Sequence, residues 1–121
     1  VNMSQSTNDV YPTALRLATI FSIKQLLLAM ESLQSAFHEK SLEFKDLLKI
    51  GRTQLQDAVP MTLGQEFSTY DVMLGEDRVR LKEAISLIGE INLGATAIGT
   101  GINTDFRYSK RAIEILSEES G

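Results

Sequence analysis

The chain has no Cys, which excludes disulfides, thiolate zinc sites and a Cys nucleophile. His38 is its single His, so no His-based metal cluster can be built from this chain alone. It has no excess of positive charge: 12 Lys and Arg face 16 Asp and Glu, for a net charge of −4. That balance argues against sequence-independent binding to nucleic acid or to anionic membranes. The longest uninterrupted apolar run, Leu26–Met30, is far short of a membrane span. No signal-peptide pattern precedes Val1. No GK[ST] phosphate loop or Rossmann glycine pattern is present. No Ser or Thr has an obvious His or Lys partner, so no nucleophile dyad or general base is evident. From these absences we expect no cofactor, no metal, no nucleic acid and no membrane.

What is present is ordinary for a globular protein. The 121 residues are 43% hydrophobic and 23% charged, enough for one domain with a core. The chain opens at Val1, without a Met, directly on a polar motif. Trimmed numbering explains that start, and so does excision from something longer.

Positions 13 to 50 contain neither Gly nor Pro and are rich in Leu, Ala, Lys, Gln and Glu, all good helix formers. Asn8 and Asp9 are suitable N-caps, with Pro12 in the first turn. Apolar residues recur at helical spacing through Ile20, Ile23, Leu27, Met30, Leu33, Phe37, Phe44 and Leu47. The pattern predicts one long helix, or two with a break near 28–32. Residues 49–61, bounded by Gly51 and Pro60, predict a short extended connector near 49–58. Thr62 with Gln65 fits a capping box opening a second long helix. Its seam reads Leu63, Phe67, Tyr70, Leu74, Asp77, Leu81, Ala84, Ile88, Ile91, in alternating steps of 4 and 3. Residues 94–104 are small and Gly-rich, a turn with close backbone approach. Asp105 or Ser109 would cap a last helix, burying Tyr108, Ala112, Ile115 and Leu116. The fold class is therefore all-α, a long-helix bundle. A helix over 62–93 would be about 48 Å long, against a diameter of about 35 Å for a compact globule of this length. Its seam calls for helix partners beyond one chain.

Three polar segments at helix boundaries are candidate binding sites. Ser4, Ser6, Thr7 and Asn8 crowd donors just before a helix, a receptor for carboxylate or phosphate. Arg52, Thr53, Gln54, Gln56 and Asp57 place donors on a short connector. The glycines of residues 99–104 let backbone N–H groups face an anion. N-caps, solvated connectors and turns are commoner than sites, so composition alone favours those plainer readings.

All three segments, in this order, resemble the fumarase/aspartase superfamily. The matching strings are VNMSQSTNDVYPTALRLA, KIGRTQLQDAVPMTLGQEF and EINLGATAIGTGINT. The resemblance covers essentially the whole chain. It implies that residues 1–121 are a piece of the central helical domain, with an N-terminal domain, a catalytic loop and a C-terminal domain outside it. Fumarases carry Ser-Ser-Asn where this chain has Ser6-Thr7-Asn8, and Thr-His where it has Thr53-Gln54. Both differences favour the aspartase side, an ammonia-lyase that converts L-aspartate to fumarate and ammonia through an aci-carboxylate. The resemblance implies that Ser6 and Thr7 bind the β-carboxylate. It gives Asn8, Thr53 and Gln54 the α-carboxylate and amino group, with Thr100 and Asn103 in support. The family's base is a Ser in a GSS-type loop, which this chain lacks. The resemblance further implies a cytoplasmic homotetramer with active sites shared between subunits, a small dicarboxylate or amino-acid substrate, and no cofactor. Two alternatives stand: a fumarate hydratase interconverting fumarate and L-malate, and an inactive helical assembly module.

Overall fold

The computed structural model describes residues 3–121. The element order is α1 (Thr7–Glu43), β1 (Leu48–Thr53), β2 (Gln56–Thr62), α2 (Leu63–Ile88) and α3 (Tyr108–Ser120). The described residues form three helices and one two-stranded hairpin, the hairpin standing where the extended connector is expected. The mainly helical class holds. The chain divides into two units, one of Val1–Ile23 with Ala84–Gly121 and one of Lys24–Glu83.

α1 begins two to three residues earlier than the sequence suggests. Ser6, not Asn8 or Asp9, is the N-cap: its Oγ accepts from Asn8 N at 3.2 Å, and Asp9 Oδ1 accepts from Ser6 N at 3.0 Å. That reciprocal pair is a capping box with Asp at the third helical position. Pro12 lies inside the helix, past the first turn where it is expected. It has no N–H, so the Asn8 carbonyl loses its helical partner. The Asn92 side chain takes that carbonyl instead, Nδ2 donating at 3.1 Å. No break occurs near 28–32, and α1 is continuous to Glu43, because nothing there opposes helix.

α1 also corrects the membrane argument from run length. By length and average composition it is apolar enough to cross a bilayer, although polar residues interrupt every run. Exposed Leu15, Phe21, Leu28 and Leu42 show apolar residues around much of its circumference. A helix of that kind belongs in the interior of something larger, whether lipid or protein.

In the Lys24–Glu83 unit, the connector is an antiparallel hairpin reaching to Thr62, with Leu48 opposite Thr62 and Thr53 opposite Gln56. Register shifts between Ile50 and Arg52, where β2 carries an extra residue. Pro60 is tolerated because both strands of a two-stranded sheet are edges. The chain then turns into α2 through the expected box: Thr62 N donates to Gln65 Oε1 at 2.9 Å and Gln65 N to Thr62 Oγ1 at 3.1 Å. Thr62→Ala should cost about 1 kcal/mol, read as a lower urea midpoint at unchanged slope.

Phe37, Phe44, Phe67 and Tyr70 form one aromatic cluster, with ring centroids 5.4–5.9 Å apart. The expected seam holds at seven of its nine positions and shifts by one residue at the other two. Asp71 and Arg78 are half-buried against α1, whereas Tyr70 and Asp77 are exposed. Gln34 Nε2 donates to Asp71 Oδ1 at 2.9 Å, and Arg78 Nη1 donates to Gln34 Oε1 at 2.6 Å. Arg78 also pairs with Glu31, and His38 Nδ1 lies 3.0 Å from Asp71 Oδ2. Pairing offsets most of the cost of placing these charges in the seam, although the buried Arg78 Nε has no hydrogen-bond partner.

In the other unit, α2 ends at Ile88, short of residue 93. Gly94 has φ +87° and Gly99 φ +89°, as a Gly-rich turn requires. α3 follows, with Arg107 at the N-cap position and no side-chain cap. Asp105 instead binds the Arg107 backbone N at 2.9 Å and its guanidinium. Ser109 donates from Oγ to the Leu93 carbonyl at 3.0 Å. Tyr108, Ala112 and Leu116 are half-buried as expected, but Ile115 is exposed and Ile113 takes its place. No hydrophobic side chain among the described residues is fully buried.

Candidate functional site

The N-terminus of α1 and the Gly-rich turn are joined through Asp9. This residue is 0% exposed, and its Oδ2 accepts from Gly94 N at 3.2 Å and Thr96 N at 2.9 Å. Beside it, Asn8 Nδ2 donates to the Ala97 carbonyl at 2.7 Å. Ser4, Gln5, Ser6, Thr96, Ala97, Ile102 and Asn103 line a cleft of about 250 Å³ between the two segments. Ser6 and Asn103, two of the expected site residues, are therefore brought to one cleft. Thr7 lines an adjoining cleft of about 430 Å³ with Gln5, Ser6, Val10, Tyr11 and Ala14. Thr100 lines neither cleft and is exposed.

The cleft is built from an unusual backbone. Ser4, Thr96 and Asn103 have φ of +65°, +60° and +64°, three of the five non-glycine residues with positive φ among the described residues. Such conformations are costly, most of all for a β-branched Thr, and persist only where surroundings impose them. The Thr96 hydroxyl is buried and has no hydrogen-bond partner. The first turn of α1 adds the positive end of a helix dipole. Hydroxyls, amides and a helix N-terminus together suit a carboxylate.

Burial pushes the Asp9 carboxyl pKa up, and the backbone N–H groups of Ser6, Thr96, Gly94 and Val10 outweigh it, so the net shift is downward from 3.8. The folded state thus binds this proton more weakly than the unfolded state does. Asp9 contributes its full stability above the unfolded value, and the contribution is lost as pH falls through the lowered folded value. Asp9→Asn should therefore flatten the acid limb of the stability–pH curve below about pH 4, measured by urea unfolding.

Thr53 and Gln54 sit at the tip of the hairpin in the Lys24–Glu83 unit, both exposed. Gln54 (φ +49°) and Leu55 (φ +64°) form its two-residue turn. Positive φ at both positions is the type I′ geometry that Asn-Gly normally supplies. Arg52 Nε donates to Asp57 Oδ1 across the hairpin at 3.0 Å, so this arginine already holds an acid. Sequence reasoning missed the reach of Asp9 and the role of Asn92. The signal for Asn92 was Pro12, which frees a carbonyl four residues back.

The family model described as Lyase matches residues 1–121, and the chain belongs to that family. It is 57% identical over 122 residues to an aspartate ammonia-lyase of Pseudomonas fluorescens, covering 100% of this chain and 26% of that protein. Among solved structures it is similar to a fumarate lyase:delta crystallin from Brucella melitensis bound to cobalt. That match has a TM-score of 0.94 and 57% identity, over 99% of this chain and 26% of the other. It is also similar to a class II fumarase from Schistosoma mansoni, with a TM-score of 0.86 and 34% identity, over 98% of this chain and 26% of the other. The chain thus spans about a quarter of the length of the relatives it matches.

Proposed function

We propose that this chain supplies substrate-binding segments to an aspartate ammonia-lyase, as a piece of its central helical domain. The observation that carries the reading is the 57% identity to an aspartate ammonia-lyase, against 34% to a class II fumarase. Thr7 and Gln54, the two positions that favour the aspartase side, support it. In this reading Ser6 and Thr7 bind the β-carboxylate. Asn8, Thr53 and Gln54 hold the α-carboxylate and amino group, and Thr100 and Asn103 support the site. Removal of the proton next to the β-carboxylate builds charge on that group as an aci-carboxylate. Donors fixed in advance for this charge lower the barrier without taking up a proton themselves. The base is a Ser in a loop outside these residues, so the 121-residue piece alone is inactive.

The enzyme is a cytoplasmic homotetramer in this reading, with α1 in its protein interior rather than in a membrane. Exposed apolar residues such as Leu28 (62%), Val72 (58%) and Leu87 (70%) support the need for partner helices. The full-length protein should release fumarate and ammonia from L-aspartate. Release of fumarate from L-malate alone would replace this reading with the fumarase one. Activity on neither would favour an assembly module. Shared sites predict complementation: full-length Asn8→Ala and Gln54→Ala variants, each strongly impaired alone, should regain activity when unfolded and reassembled together.

A further inference from the structure

We propose that Asp9 is a positioning residue that clamps the Ser6–Asn8 turn to the Gly94–Thr96 turn, fixing the polar cleft as one rigid receptor. An acid at the third helical position that bonds back to its own N-cap is ordinary. What goes further is the use of its second oxygen. Oδ1 serves the cap through Ser6 N at 3.0 Å, and Oδ2 holds Gly94 N and Thr96 N, 85 and 87 residues away. All three partners are backbone groups, so the carboxylate sets chain geometry and does not simply pair a charge. A fully buried carboxylate held this way is expensive to misplace.

The clamped residues are the ones that shape the cleft. Ser6 and Thr96 both line it. Thr96 is held at φ +60°, a conformation that the bond to its N–H helps impose. Gly94 admits no substitute, since its φ is +87° and a Cβ would lie 2.5 Å from the Ser109 side chain. The Asn8 bond to Ala97 runs parallel to the clamp and depends on the same turn. The inference rests on the reading of Ser6–Asn8 as carboxylate-binding.

The test uses the full-length enzyme and its Asp9→Asn variant. Asparagine keeps the size but turns one acceptor into a donor facing backbone N–H groups. On L-aspartate, kcat should fall about 100-fold, while the Kd of fumarate changes less than about threefold. A nitronate analogue, whose nitro group imitates the aci-carboxylate, should lose affinity in step with kcat. A kcat within threefold of wild type overturns the proposal, as do equal losses for fumarate and the analogue. Hydrogen exchange provides the readout independent of chemistry. In wild type the amides of Ser6, Gly94 and Thr96 should be protected and open together, and in the variant Gly94 and Thr96 should exchange at least about tenfold faster. Unprotected Gly94 and Thr96 amides in wild type overturn the clamp even where the variant does not fold. Wild type inactive on L-aspartate removes the functional reading instead, and exchange then decides the clamp.

Discussion

Asn8→Ala in the full-length enzyme is expected to lower kcat/KM on L-aspartate by about 30- to 1,000-fold, or 2–4 kcal/mol of transition-state binding. The size follows from how firmly the residue is placed. Its backbone N–H is held by Ser6 Oγ and its carbonyl by Asn92 Nδ2. Its side-chain amide gives one hydrogen to the Ala97 carbonyl at 2.7 Å, which fixes the amide plane and leaves the second hydrogen for a substrate carboxylate. A donor aimed in advance is worth more than one that must be ordered on binding. Alanine removes both hydrogens, so a pure binding loss would appear in KM and a transition-state loss in kcat. Asn92→Ala is the structural control. It releases the Asn8 carbonyl but leaves the amide, and should cost roughly tenfold at most. An unchanged kcat/KM in Asn8→Ala would show that the substrate role assigned to this residue is wrong.

The comparison of Asn8 with Asp9 shows what a sequence discloses. Local features were legible. The Thr62–Gln65 box and the Gly-rich turn depend on neighbours within a few positions. Asp9 reads as a helix cap because its local bond to Ser6 is all the sequence exposes, and partners 85 and 87 residues away leave no pattern. Two positions of the α2 seam shifted by one residue for a different reason. Regular steps of 4 and 3 land on Tyr70 and Asp77, yet Asp71 and Arg78 occupy the stripe by satisfying Gln34 and Glu31. The hairpin was concealed by its own turn, since Gln54-Leu55 lacks the Asn-Gly signal. Pro60 added a residue that argues against strand. For the candidate site, the fold places Ser6 and Asn103 together and leaves Thr53 and Gln54 in the other unit.

Gly64→Ala should be the most damaging substitution for stability, costing about 3 kcal/mol or preventing the fold. Gly64 follows the first residue of α2 and is buried. A Cβ there would lie 2.5 Å from the Ser41 carbonyl oxygen, 2.6 Å from Lys45 Cα and 2.8 Å from Lys45 N. All three are backbone atoms of the segment that ends α1, so no rotamer change relieves the clash. Gly64 N also donates to the Phe44 carbonyl at 2.9 Å, and Leu63 N to the Leu47 carbonyl at 2.8 Å. These bonds tie the start of α2 to the Phe44–Leu47 turn that follows α1. Separating the two segments to admit a methyl group would break that tie and pull Phe67 from Phe44, whose rings are 5.4 Å apart. Gly75 provides the internal comparison, since its Cβ would meet only the Gln34 amide, 2.9 Å from Nε2. Gln34 can withdraw by loosening its bonds to Asp71 and Arg78, a cost that alanine, the better helix former by about 1 kcal/mol, offsets. Gly75→Ala should therefore be close to neutral. Thermal unfolding of the two full-length variants checks the contrast, and equal Tm values would mean that backbone contact at Gly64 does not limit the approach of α2 to α1.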